Sequence, residues 1–256
     1  MLARISVFLL LSTAAVAMQA AAPAAASPYI YYGSERSATK EGFSFPESEQ
    51  VTIVIMRPDI FVGAQSTGGM DRINAEWTGF GRDNLISATR KYLQHGGFQA
   101  SAMLELSGDD ANIAAEYRAL FKTVTNAAIQ NSLWPVDGLP TKKQGFNWTL
   151  GPSISHLAEL GGGNYGLFLY SYDSYSLPGR KALEIIGFAK GLEAVSQPHI
   201  GYAGLVDLKT GELVWMNVNV RIGGDVRRPE GADDRVSQLL NNFPQRGVAA
   251  SEHRGK

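Results

Sequence analysis

Two short polar stretches carry the residue types that can serve a reaction or hold a ligand. Arg57-Pro58-Asp59 follows the β-branched run Val51-Thr52-Ile53-Val54-Ile55-Met56, and Asp173-Ser174-Tyr175 follows the apolar run from Tyr165 to Tyr172. Open α/β sheets hold ligands just beyond the carboxyl ends of their strands. If the two runs are parallel neighbours, Arg57, Asp59, Asp173 and Ser174 gather at one rim. Carboxylates beside an arginine there suit hydrolysis, or capture of a small polar ligand or a metal ion. The plainer reading, a salt bridge and two capped turns, uses the same residues and is preferred.

Other chemistry is poorly supplied. Gly161-x-Gly163-x-x-Gly166 matches the dinucleotide fingerprint in letters, but that motif must follow a strand and open a helix, so that the helix N-terminus meets the pyrophosphate. Here the glycines precede a strand and read as a helix-to-strand connection. There is no Walker lysine loop, no Gly-x-Ser-x-Gly elbow and no His-Glu-x-x-His. His95, His156, His199 and His253 share no metal-ligand spacing, so neither a metal nor a cofactor is expected. With no cysteine, thiol nucleophiles, disulfides and N-terminal lipidation on cysteine are excluded. On balance the chain reads as non-catalytic.

Composition narrows the class further. The chain has 256 residues, with 23 Lys+Arg against 24 Asp+Glu. That balance excludes a strongly basic nucleic-acid binder. Hydrophobic residues make up 45%, normal for a folded domain. Met1 to Ala26 has the anatomy of an export signal: Arg4, then an apolar stretch from Ile5, then small residues permitting cleavage between 17 and 26. The stretch from Ile5 to Ala17 is shorter than the ~20 residues that span a bilayer, so cleavage and a periplasmic destination are expected, with secretion or a retained signal anchor as alternatives. No later segment is apolar enough to span a membrane.

The elements that must position the polar residues follow from periodicity. Residues 27–50 read as an extended arm containing the Tyr29-Ile30-Tyr31-Tyr32 cluster, and residues 51–243 as a single α/β domain ending in a polar tail, 244–256. Strands are expected over Val51–Met56, Ile60–Val62, Phe98–Leu106 and Tyr165–Tyr172. Gly63 to Asn74 and Asn131 to Pro152 read as loops. Helices are expected over Thr78–Gln94, from Ser107-Gly108-Asp109-Asp110 through Ala128, and over Ser153–Leu160, Arg180–Val195 and Ala232–Phe243. Asp109-Asp110 and Asp233-Asp234 read as helix-start residues. Ile200–Leu208 and Glu212–Val220 flank Lys209-Thr210-Gly211, whose final glycine suits a type I turn with a bulge. The fold class is therefore α/β (α+β): one mixed β-sheet with helices packed on it, a C-terminal β-hairpin and a closing helix.

The Arg180–Val195 helix carries Gly187-x-x-x-Gly191, with Phe188 outside its main apolar stripe. Close-approach spacing of this kind is usually ordinary packing, and otherwise marks a partner surface. Tyr31, Tyr32, Gly187, Phe188 and Gly191 are the interaction residues singled out.

Several stretches resemble an uncharacterised group of exported proteobacterial proteins: Met56-Arg57-Pro58-Asp59, Ala75-Glu76-Trp77-Thr78, residues 146–152, Tyr172-Asp173-Ser174-Tyr175 and residues 205–217. More distantly, the hairpin is similar to that of periplasmic lipoproteins of the curli-secretion-channel type, and to the α/β domain preceding the Tol–Pal propeller. The resemblance implies an envelope-assembly or accessory role, with an envelope protein or a second copy as partner. It brings no catalytic residues. The lipidated cysteine and long transmembrane hairpins of such lipoproteins are missing, so pore formation does not carry over.

Overall fold

Alternation along the central strands decides the architecture. In the computed structural model, described over residues 34–47, 50–65, 71–133, 139–142, 145–176 and 199–246, Ile53 and Ile55 pack into one apolar cluster while Val54 and Met56 pack into another. Leu167 and Leu169 divide from Phe168 in the same way. Both faces of the sheet are therefore buried, and each needs a layer of helices.

The strands are β1 (Glu35–Thr39), β2 (Thr52–Ile55), β3 (Asp59–Gln65), β4 (Asp71–Ile73), β5 (Gln99–Ala102), β6 (Trp148–Thr149), β7 (Tyr165–Ser176), β8 (His199–Asp207) and β9 (Glu212–Asn219). They form one mixed sheet in the order β1-β9-β8-β7-β2-β5, with β6 beside β9 and the pair β3–β4 beside β7. The helices are α1 (Ala75–His95), α2 (Gly108–Ala128), α3 (Ser155–Gly161) and α4 (Pro229–Leu239). Leu85 and Leu93 of α1 and Val236 and Leu239 of α4 cover one face. Phe121 of α2 and Leu157 of α3 cover the other. Burying each such side chain contributes roughly 1.5–3 kcal/mol.

Strand β7 organises the rest. Its first residues pair with β2, parallel, in register Ile53↔Tyr165 to Ile55↔Leu167. Its later residues pair with β3, also parallel, from Asp59↔Tyr170 to Gln65↔Ser176. Thus β2 and β3 lie one after the other along a single edge of β7, separated by Met56-Arg57-Pro58. Proline has no N–H to donate, which ends β2 there. The other edge of β7 pairs antiparallel with β8, and β8 with β9. The hairpin turn closes as expected. Gly211 adopts φ +78° and its N–H bonds to the Asp207 carbonyl at 2.8 Å, while the Asp207 side chain accepts from the backbone of Lys209 and Thr210.

Several boundaries differ from expectation. Helix α1 starts at Ala75, because the Asn74 side chain accepts from the Trp77 backbone N–H at 3.0 Å and caps it. Part of the expected Gly63–Asn74 loop is strand, the end of β3 pairing with β4. Helix α4 starts at Pro229, favoured at a first helical position, so Asp233 and Asp234 lie within the helix and do not start it. Glu35–Thr39, from the stretch read as an arm, is an edge strand on β9. Strand β5 ends at Ala102, four residues before Leu106. The leader, Tyr31, Tyr32, the Arg180–Val195 helix with Gly187, Phe188 and Gly191, and the last residues of the tail lie outside the described residues.

Candidate functional site

The run Asp173-Ser174-Tyr175 is not a loop after a strand; it is the last third of β7. Because β7 continues, its odd and even residues keep pointing to opposite faces. Ser171, Asp173 and Tyr175 follow Leu167 and Leu169 toward the layer of α1 and α4. Ser174 follows Phe168 and Tyr170 toward the α2 layer, where it is fully buried.

Asp173 is wholly buried and so is Arg235, which α4 sends inward beside Ala232, Val236 and Leu239. Arg235 Nη2 donates to Asp173 Oδ1 at 2.6 Å and to the Gly224 carbonyl at 2.7 Å. Its Nη1 donates to Ser171 Oγ at 2.7 Å and to Asp173 Oδ2 at 3.1 Å, and its Nε to the Gly223 carbonyl at 2.5 Å. Every N–H of the guanidinium thus has an acceptor, the condition under which a buried charge is tolerated. The loop before α4 is shaped for this. Gly224 adopts φ +84°, and a Cβ there would lie 2.2 Å from the Gly231 carbonyl oxygen.

Asp173 has further partners. Ser171 Oγ donates to its Oδ2 at 2.8 Å, and His199 Nδ1 lies 2.7 Å from its Oδ1. His199 is its cross-strand partner on β8. Burial alone raises the Asp173 pKa, but the hydrogen bonds from His199, Arg235 and Ser171 and the Arg235 charge outweigh it, so the carboxyl is held below its ordinary value. Beyond His199 the network becomes aromatic. Its ring faces Tyr175 at 5.1 Å, and the Arg227 guanidinium lies 3.9 Å from the Tyr175 ring centre and 4.6 Å from that of Trp77. Arg227 also grips Asp225 through two bonds of 2.8 and 2.7 Å, and chiefly for that reason the Asp225 pKa falls to about 2.

A buried carboxylate holding Nδ1 of a histidine is one half of a nucleophile-activating triad. Among the described residues the other half is not assembled. Ser171 Oγ bonds to the carboxylate, not to the imidazole, and Arg235 already neutralises that carboxylate. The cluster works as a clamp that fastens α4 and its preceding loop to the sheet.

Arg57 and Asp59 belong elsewhere. Asp59 pairs with Tyr170 and faces the α2 layer, the opposite side of the sheet from Asp173. Arg57 and Asp59 do come together, in a cleft they share with Arg118, Lys122, Tyr170 and Tyr202 that holds about 10 Å³, on the order of one water. Lys122 Nζ lies 3.7 Å from Asp59, and Arg57 lies 4.0 Å from Glu105. The structure therefore separates the four expected rim residues: Arg57 and Asp59 in one cleft, Asp173 in the clamp, Ser174 buried away from both. Arg235, Arg82 and Arg118 were not expected at all. Arg235 had a signal, since it occupies an inward position of the stripe Ala232, Val236 and Leu239. No group of three or more metal-binding side chains occurs among the described residues. None of their helices is long and apolar enough to cross a membrane.

No protein-family model matches the chain, and no curated protein matches it. Three solved structures share part of its course. The PelC dodecamer of Paraburkholderia phytofirmans is 9% identical, covers 81% of this chain and 96% of its own, and has a TM-score of 0.38. A single-site variant of that dodecamer gives 9%, 83%, 99% and 0.39. Lipoprotein GNA1162 of Neisseria meningitidis is 10% identical, covers 66% and 80%, and has a TM-score of 0.27. At such values none of the three carries an argument about site or activity.

Proposed function

We propose that the protein is an exported, non-catalytic domain of the periplasm, and that it acts by binding an envelope protein or further copies of itself. The observation that supports this most is the course of β3. Where β2 ends, an open α/β sheet ordinarily leaves a crevice for its ligand; here β3 continues along β7 and fills it, leaving space for about one water. The leader-like segment from Met1 to Ala26 supports export. The rival reading, a hydrolase or a small-ligand or metal site using Asp59 and Asp173 together, is disfavoured, because those carboxylates lie on opposite faces and Asp173 is saturated with partners.

The surfaces proposed for contact are Tyr31 and Tyr32 together with Gly187, Phe188 and Gly191. The test is light scattering coupled to size exclusion across a concentration series, on protein recovered from the periplasm, alongside cross-linking in intact cells. A discrete oligomer or a specific envelope cross-link that is lost in Gly187→Leu and Phe188→Glu supports the reading. A strict monomer with no cross-link, or variants that behave as the parent does, overturns the choice of surface. Recovery of the protein in the cytosol overturns export.

A further inference from the structure

The sheet has a notch. On the edge facing away from β7, β2 pairs with β5 only through Ile55↔Ala102, and β3 meets β4 only from Gly63 onward. Among the described residues, the intervening backbone, Arg57 to Phe61, has no strand beside it on that edge. Side chains from three elements converge there. Arg57 comes from the break between β2 and β3. Arg82 comes from α1 on one face, next to Gly81, whose tight packing on Ile60 and Val62 brings the helix close; it does not line the cleft but is near enough to Arg57, Asp59 and Glu105 to feel their charges. Arg118 and Lys122 come from α2 on the other face and line the cleft with Arg57 and Asp59.

The charge there is unbalanced. Arg57, Arg82, Arg118 and Lys122 face Asp59 and Glu105, an excess of two positive charges, or one if Asp83 beside Arg82 is included. The whole chain sums to −1, so this excess is local and not a reflection of a basic protein. Arg82 and Arg118 are each partly buried, and neither has a carboxylate within 4.0 Å among the described residues. The Arg82 Nε is buried without a hydrogen-bond acceptor among those residues. Burial and the neighbouring arginines pull the pKa of both below the ordinary guanidinium value. Guanidinium groups do not lose their proton in proteins, so both stay charged, chiefly at the cost of partial desolvation. Partly desolvated, unpaired cations of one sign are expensive on their own and favour an anion that brings its own oxygens.

We propose that Arg57, Arg82, Arg118 and Lys122 form a binding site for a phosphate group at this notch. Forked guanidinium donors suit the oxygens of phosphate, and a free phosphate or monoester carries about −1.5 to −2 at neutral pH and a diester headgroup about −1, both within the local excess of one to two. The proposal does not depend on the assembly reading. A phosphoryl group reaches the notch either free or as the headgroup of a lipid. Tyr170 and Tyr202, stacked at 4.5 Å, line the cleft, which holds only about one water, so the group binds at its mouth.

The test uses the purified protein with two probes. Inorganic phosphate is titrated by calorimetry, and vesicles of phosphatidylglycerol, with phosphatidylcholine vesicles as reference, are tested by co-sedimentation. Saturable phosphate binding identifies a free phosphoryl ligand, and binding confined to phosphatidylglycerol vesicles identifies a headgroup. In either case R82Q and R118Q weaken binding at least tenfold. The same variants, unliganded, melt no lower than the parent, because each removes a partly buried cation that has no carboxylate partner among the described residues. Absence of binding to both probes overturns the proposal, and so does binding that survives in both variants.

Discussion

Replacing Asp173 by asparagine tests the clamp directly. The side chain keeps its size and one acceptor oxygen but loses the charge that neutralises Arg235. Arg235 is fully buried, so the variant leaves an unbalanced cation in the interior, a change that costs about 3–5 kcal/mol when one partner of a buried pair is removed. Urea unfolding followed by circular dichroism measures it. With a slope of about 2–3 kcal/mol per molar, the midpoint falls by roughly 1–2.5 M with the slope unchanged. Asp173→Leu combined with Arg235→Met then recovers part of the loss, since both charges leave together. Recovery is incomplete because the Gly223 and Gly224 carbonyls lose their donor, at about 1–3 kcal/mol for each group left unsatisfied. The pH dependence carries a matching signature. The folded Asp173 carboxyl is held below its unfolded value, so its stabilisation is complete above about pH 4 and fades as pH falls through the folded value. Asp173→Asn flattens that acid limb. A midpoint shift under about 0.3 M, or an acid limb unchanged by the substitution, refutes the account of Asp173 as the charge that holds Arg235.

Two further outcomes follow from geometry described above. Arg227→Ala releases Asp225, whose pKa of about 2 returns toward the ordinary carboxylate range; stability present above about pH 4 and lost toward pH 2 drops by ~1–2 kcal/mol after screening, read by acid titration of the unfolding midpoint. Gly211→Ala places a Cβ 2.0 Å from the Gly151 carbonyl oxygen at φ +78°, so it destabilises by more than about 1 kcal/mol and opens the β8–β9 turn, seen as faster amide exchange at Gly211 and Leu150.

Much of the fold was legible because apolar periodicity carried it. The stripe along α2 and the alternation at β5 gave away their elements, and the Gly211 hairpin announced itself through turn chemistry. The candidate site was harder to read for a specific reason. Ser171, Asp173 and Ser174 look like the polar end of a strand, since polarity in a sequence ordinarily signals solvent. Here their partners come from chain segments far away: Arg235 lies 62 residues from Asp173 and His199 lies 26. Nothing local distinguishes a carboxylate exposed after a strand from one buried within it against a distant arginine. The error at α4 has the same origin, for Asp233 and Asp234 look like caps until Pro229 is recognised as a first helical residue. The notch was invisible because it depends on where β5 stops and β4 starts, and strand ends are set by pairing rather than by composition.

The position of β7 at the centre of the sheet also sets the order in which the molecule can be made. The strands that flank it come from opposite ends of the chain, and the bond from the Thr52 N–H to the Asn164 side chain already bridges 112 residues. Until β7 has been synthesised, the β2–β5 pair and the β3–β4 pair have no strand to connect them, and the helices around them have no finished surface to cover. Contacts of such long reach close slowly. The sheet can therefore be completed only once the last third of the chain is present.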